Sequence, residues 1–172
     1  EQERTICLFE MKRSNITFFN TSVGGVVVNR KIVVFEEELI PVGEETKELL
    51  CVGNKNRRKI KIQIIAKEGS EKLRVRTNPS VVVVEKGKAC EIEIFVTPLC
   101  SSTIDENIMI VVKKEGKDKT EHTPIRMKAS VEITTTLHYS DIEKEKQIGE
   151  GSFGVVFKGK YKSNDVAIKQ MK

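Results

Sequence analysis

The chain has 172 residues, 38% of them hydrophobic and 32% charged, with 30 Lys and Arg against 25 Asp and Glu for a net charge of +5. That size and balance suit one globular domain with a modest core, or a domain plus a fragment. Basic and acidic residues are mixed along the chain and aromatics are only 5%. This describes a solvated surface rather than a nucleic-acid groove, which wants clustered Lys and Arg with interleaved aromatics.

No run approaches the roughly 18 apolar residues of a membrane helix; the nearest, VGGVVV, is closed by Asn29-Arg30-Lys31. Nothing resembles a signal peptide. The first residue is Glu1 rather than Met, and the expectation is a segment cut from something longer. Cys7, Cys51, Cys90 and Cys100 form no CxxC pair, and only His122 and His138 could join them. A zinc site is therefore not expected. Cys51 and Cys90 lie in strand-like runs that could mimic an inter-sheet disulfide, but there is no tryptophan to pack on one. Buried thiols in a reducing compartment are the expectation.

In chain order, residues 1–34 are an N-terminal extension: TICLFEMKRSNITFF could add one or two strands. Asn15-Ile16-Thr17 and Asn20-Thr21-Ser22 match the N-glycosylation tripeptide, which matters only in a secreted compartment. From residue 35 to 136 the pattern has period two. KIKIQII sets Ile60, Ile62 and Ile64 against Lys59, Lys61 and Gln63. EIEIFV sets Ile92, Ile94 and Val96 against Glu91 and Glu93. IRMKASVEI places Ile125, Met127, Ala129, Val131 and Ile133 inward. Successive strand side chains face opposite ways, so each segment predicts a half-buried strand. KIVVF, ELLCV, KLRVR, PSVVVV and NIMIVV complete the set. Turn chemistry separates them at Pro41-Val42-Gly43, Gly53-Asn54, Gly69-Ser70, Asn78-Pro79, Lys86-Gly87 and Gly116-Lys117-Asp118. Seven or so short strands predict an all-β, immunoglobulin-like sandwich.

The progression VGEETKELLCVGNKNRRKIKIQI, then KLRVRTNPSVVVVEKGKACEIEIFVTPL with its Pro98-Leu99 pair, is similar to the major-sperm-protein-like class of sandwiches, from about Phe35 to Thr136. The resemblance implies a module that binds protein segments or acts as a spacer, with no catalysis of its own.

The last stretch, IGEGSFGVVFKGKYKSNDVAIKQMK, carries Gly149, Gly151 and Gly154 in G-x-G-x-x-G spacing. Dinucleotide folds use the same spacing, but there the glycines open a helix. Here they run into VVFKGKY, a β-branched, strand-like sequence, and no Walker-type GK[ST] follows. A turn at Lys162-Ser163-Asn164-Asp165 leads to Val166-Ala167-Ile168-Lys169. Strand, glycine turn, strand, then a VAIK lysine is the opening of a protein-kinase domain. The wording is similar to the tyrosine-kinase-like group. With the sandwich before it, the chain resembles the cytoplasmic part of the transmembrane protein kinases of amoebae.

That resemblance implies residues 137–172 are the first three strands of a kinase N-lobe, with an ATP site drawn from Ile148, Gly149, Glu150, Gly151, Ser152, Phe153, Gly154, Val156, Ala167 and Lys169. Ile148, Val156 and Ala167 would meet adenine, the glycine backbone the phosphates, and Lys169 the α- and β-phosphates. The cofactor would be ATP with Mg, and the parent would phosphorylate protein hydroxyls in signalling, on the cytoplasmic side of a membrane or otherwise in the cytoplasm. HRD and DFG do not occur in these residues, so the segment by itself is expected to be inactive and to hold no catalytic residue. The alternative is a non-catalytic interaction module with a vestigial kinase-like tail. Protein partners of the sandwich and substrates of the parent are expected; nucleic acid is not.

Overall fold

The computed structural model describes residues 7–35, 39–66, 70–133 and 137–172. Within them the architecture is all-β: two packed sheets followed by a separate three-stranded sheet. The first sheet runs β1 (Cys7–Glu10), β9 (Lys88–Pro98), β5 (Thr46–Asn54), β3 (Val26–Val28) and β2 (Phe19–Asn20), all antiparallel. The long β9 carries β1 beside its first half and β7 (Leu73–Asn78) beside its second. The second sheet runs β4 (Ile32–Val34), β11 (Thr120–Ser130), β10 (Thr103–Lys114), β6 (Ile60–Ile65) and β8 (Val81–Val84). Only the β4–β11 pairing in it is parallel.

The core lies between the two sheets and is filled by the alternation visible in the sequence. Ile60, Ile62 and Ile64 face inward from β6, Ile92, Ile94 and Val96 from β9, and Ile125, Met127 and Ala129 from β11. Ile62 and Ile92 are each 1% exposed, and burying such a side chain stabilises by about 1.5–3 kcal/mol. Pro124 is tolerated mid-strand because β4 pairs β11 only at Arg126 to Lys128, so β11 has an open edge where the proline ring replaces an N–H.

Four expectations are corrected. Gly53-Asn54 is not a turn: both belong to β5, and the chain reverses afterwards. Asn54 is fully buried; its Nδ2 donates to the carbonyls of Arg58 and Val84, each at 2.9 Å, and its Oδ1 accepts from the N–H of Asn56 at 2.8 Å. The turn-forming amide is thus spent tying the first sheet to the second. Ile133 is 87% exposed, because β11 ends at Ser130 and the alternation has no sheet to project from beyond Val131. Glu93 faces away from the core as expected but is 4% exposed, covered by β7 and paired with Lys47 at 3.0 Å. The sandwich also holds eleven strands among the described residues: seven, β5 to β11, lie between residues 35 and 136 as expected, but residues 1–34 supply four rather than one or two.

Four of those eleven come from the first 34 residues. Val26, Val27 and Val28 are at most 1% exposed, between β2 and β5, and Val33 is fully buried beside β11. Ser22 Oγ donates to Thr123 Oγ1 at 2.8 Å, satisfying a buried hydroxyl of β11 from the N-terminal segment. Cys51 and Cys90 sit on neighbouring strands of one sheet, opposite Glu91 and Val52 respectively. Cys90 enters the core whereas Cys51 faces the other side, so these two buried thiols point apart. Gly69 of the Gly69-Ser70 turn and residues 134–136 of the sandwich's expected end lie outside the described residues.

Candidate functional site

The last sheet is an antiparallel meander of β12 (Ile142–Gly151), β13 (Gly154–Tyr161) and β14 (Asn164–Met171). β12 and β13 meet through a two-residue turn, Ser152-Phe153, with Gly151 opposite Gly154. Gly154 has φ +140° and lies against the carbonyl of Gln170, where no Cβ would fit. At Gly151 a Cβ would fall 2.6 Å from the Phe153 ring. Gly154 is therefore required by the backbone, whereas a side chain at Gly151 would have to displace the Phe153 ring. Gly149 differs: an added Cβ would meet only Val156, at an ordinary 4.0 Å. Backbone there is open to an approaching group.

The second turn is Lys162-Ser163, with φ of +47° and +66°. Two left-handed residues are what a two-residue type I′ hairpin turn needs. Asn164 and Asp165 already belong to β14, so the turn is shorter than the four residues expected. Lys160 and Asp165 flank it as a pair 2.5 Å apart, each holding the other's charged form: the hydrogen bond raises the Lys160 ammonium and lowers the Asp165 carboxyl from their usual ranges.

Register decides which candidate residues share a face. Gly149 is opposite Val156, and Val156 is opposite Lys169, so the three form one row across all three strands. Ala167 falls on the same face one row further along, opposite Lys158, and Gly151 and Gly154 close the row at the loop end. Glu150 is opposite Val155 and so lies on the other face, where its carboxylate accepts from Gln147 Nε2 at 3.5 Å. Ile148 is the extra residue of a β-bulge between Gln147 and Gly149 and is 59% exposed. Bulges re-aim side chains at sheet rims. Ser152 and Phe153 form the exposed loop tip, and the Lys169 ammonium lies 4.5 Å from the Phe153 ring centroid.

The sequence reading included Phe153 only as part of the glycine loop and missed its contact with the lysine. The signal was an aromatic at the loop tip, but its partner depends on the fold of the hairpin.

The opposite face carries Val155, Phe157, Val166 and Ile168, all only half-buried, with the Lys144 ammonium 4.4 Å from the Phe157 ring centroid. Within β13 only Gly154 and Gly159 are buried. The sheet meets the sandwich through the Ser163 hydroxyl, which donates to the Glu71 carboxylate.

The open row sets backbone free of side chain at Gly149 beside an apolar neighbour at Val156 and a cation at Lys169. Among the described residues no three His, Cys, Asp or Glu side chains group closely enough to hold a metal ion. Among the described residues, too, no helix is long and apolar enough to cross a membrane.

No family model matches the chain. It is 22% identical over 160 residues, 93% of its length, to the probable serine/threonine-protein kinase gdt4 of Dictyostelium discoideum. To the probable serine/threonine-protein kinase gdt9 of the same organism it is 24% identical over 148 residues. The chain spans about 9% of the length of each of these relatives. Among solved structures, the ASH/PapD-like domain 7 of human CEP192 superposes with a TM-score of 0.51 at 11% identity, covering 64% of this chain and 87% of that domain. The chain is thus weakly homologous to Dictyostelium protein kinases, and its sandwich shares the immunoglobulin-like fold of the PapD-like domain of CEP192.

Proposed function

We propose that this chain is the junction of a protein kinase, in which a non-catalytic β-sandwich leads into the hairpin that covers the phosphates of ATP. The observation that carries the reading is the row Gly149–Val156–Lys169. It sets an open backbone position, an apolar contact and a positive charge side by side on one face, the kinds of contact that a nucleotide's phosphates and base call for. The half-covered apolar side of the same sheet supports it as well, since three strands alone are marginal and gain stability from a larger lobe.

In this reading the parent transfers phosphate from ATP to protein hydroxyls at a membrane-anchored site facing the cytoplasm. Lys169 orients the α- and β-phosphates, the backbone at Gly149 and Gly151 approaches them, and Val156 and Ala167 line the adenine. Mg would be held by the nucleotide and by groups of the parent beyond these residues, as would the catalytic aspartate. Transfer itself rests on positioning and charge stabilisation by all of these together.

Calorimetric titration of ATP tests it on two proteins, the 172-residue chain and a chain extended through the whole catalytic domain. Binding by the extended protein that Lys169→Met abolishes, with the sandwich's unfolding unchanged, is the expected result. An extended protein that binds no nucleotide would leave an interaction module with a vestigial tail as the function.

A further inference from the structure

We propose that strand β8, the outer edge of the second sheet, receives an extended acidic peptide as an added strand, with the lysine cluster beside it as the charge partner. The proposal is independent of the kinase reading.

Among the described residues β8 ends the sheet, and one side of its backbone has no strand beside it. Val82 and Val84 face the core, while Val81 and Val83 face outward, 38% and 49% exposed. Next to it lies a cleft of about 440 Å³ walled by Val83, the lysines Lys59, Lys61, Lys113, Lys114 and Lys117, and the two carboxylates Glu115 and Asp118, so that cations outnumber anions there. Lys59 and Lys114 have carboxylate neighbours, Glu85 at 3.9 Å and Glu121 at 3.4 Å. Lys61, Lys113 and Lys117 make no ion pair within 4.0 Å among the described residues, although Glu115 and Asp118 share the cleft with them. Lys61 and Lys113 are moreover a directly opposed cross-strand pair, both outward and exposed. Like charges in that relationship oppose folding, so the arrangement costs stability unless an anion joins it.

Edge protection is the competing explanation for lysines near a sheet edge. Protective lysines stand on the edge strand itself. Here the edge strand is four valines, and the lysines stand one and two strands inward and in the neighbouring turn. That distribution leaves the edge available for pairing and places the charge behind it.

Geometry narrows the partner. Val83 lies in the row Val83–Lys61–Lys113, and Val81 in the row Val81–Gln63–Val111. One end of an added strand therefore faces cations and the other an uncharged row of two valines and a glutamine. An added strand would stand two strand spacings from Lys61, roughly 9.6 Å, which a lysine and a glutamate span between them. Lys59 and Lys61 are one period apart, about 6.8 Å, the spacing of acidic residues at alternate positions of an extended chain. The fitting partner is an extended segment with acidic residues at two alternate positions followed by valine-like residues in the same phase. Main-chain pairing would supply affinity and these side chains specificity.

The test uses the whole chain and a dye-labelled decapeptide with glutamates at alternate positions of one half, valines in the same phase in the other half, and threonines between. A peptide of the same composition with glutamates and valines moved to opposite phases is the comparison. Fluorescence anisotropy should show the first binding at least about tenfold more tightly, and hydrogen exchange should slow at Val81–Val84. Lys61→Gln/Lys113→Gln should weaken binding on the order of tenfold without lowering the unfolding temperature, and Val81→Thr/Val83→Thr should weaken it several-fold. Equal binding of both peptides, no binding, or β8 amides that stay unprotected would overturn the proposal. So would lysine-dependent binding to phosphatidylserine vesicles without peptide binding, or concentration-dependent self-association lost in Val81→Thr/Val83→Thr. The first would make the patch a membrane contact and the second a contact between copies.

Discussion

The Lys169 ammonium rests 4.5 Å from the centroid of the Phe153 ring, across the open face of the glycine hairpin. The same ring edge occupies the space over Gly151. A phosphate drawn to Lys169 must share that cation with the ring or displace it. In the intact parent, Lys169→Met is expected to abolish phosphotransfer, since methionine matches the length and lacks the charge. Phe153→Ala should instead keep transfer and change ATP affinity by less than about tenfold, because an exposed cation–π contact is worth about 0.5–1 kcal/mol. Steady-state kinetics on both variants separates the two; loss of transfer in Phe153→Ala with ATP affinity unchanged would give the ring a role beyond this contact.

Ile62 and Lys61 are neighbours in sequence and opposites in environment, the first 1% exposed and the second open to solvent. Ile62→Asp buries an unpaired carboxylate and should remove several kcal/mol or prevent folding, given a burial penalty of about 2–7 kcal/mol for an uncompensated polar group. Lys61→Asp faces water beside Lys113 and should change stability by about 0.5 kcal/mol or less. Urea unfolding of the pair reads the register directly.

A chain beginning at residue 35 is expected not to unfold cooperatively. It would lose Val23, Val26, Val27, Val28 and Val33, all at most 3% exposed. At about 1.5–3 kcal/mol for each buried side chain, their loss is comparable to a typical domain's whole stability of about 5–15 kcal/mol. Circular dichroism during heating, compared with the full chain, is the measurement. A sharp transition in the shortened chain would mean that β3 and β4 are dispensable.

Glu93 is 6% exposed in its side chain, accepts from Asn78 Nδ2 at 3.2 Å and pairs with Lys47 at 3.0 Å. Beside it the Arg76 guanidinium lies 3.8 Å from the Phe95 ring centroid. Lys47→Ala leaves a buried carboxylate short of a partner and should cost about 1–3 kcal/mol. Exposed Lys59→Ala, as a control, should cost under about 1 kcal/mol. Denaturant midpoints at neutral pH test the difference.

Acid should weaken the fold through two carboxylates in particular. The Arg76 hydrogen bond lowers Glu45 from its ordinary 4.5, and the Arg126 hydrogen bond lowers Asp105 from its ordinary 3.8. A depressed folded value means the contribution is present above the unfolded value and is lost as pH falls through the folded one. Stability should thus decline from just above pH 4 downward, and Glu45→Gln/Asp105→Asn should flatten that slope while leaving the neutral-to-alkaline region parallel. Both groups are substantially solvent-exposed, so the decline should shrink in high salt.

The strands and their inward faces were legible because alternation is a local record of which side stays dry. Ile60, Ile62 and Ile64, like Ile92, Ile94 and Val96, need no partner to announce their side. The glycine spacing and the VAIK lysine were equally legible, being set by turn chemistry and short sequence distance. Where alternation met the end of a sheet the record failed: Ile133 continues the pattern of Met127 and Ala129, but the strand has stopped.

Partnership belonged to the tertiary structure alone. Nothing local in Lys61 or Lys113 tells that they stand opposite each other. Val26–Val28 does not by itself say that it lies between β2 and β5, nor Glu93 that β7 will cover it. The same holds for Gly149, Val156 and Lys169, which become one row only through the register of β12 on β13 on β14, and for Ile148, displaced by a bulge. Periodicity tells how each strand divides its side chains between water and core; which strands meet, and in which register, is settled by closing long loops around a shared core, where distant residues compete for the same neighbours.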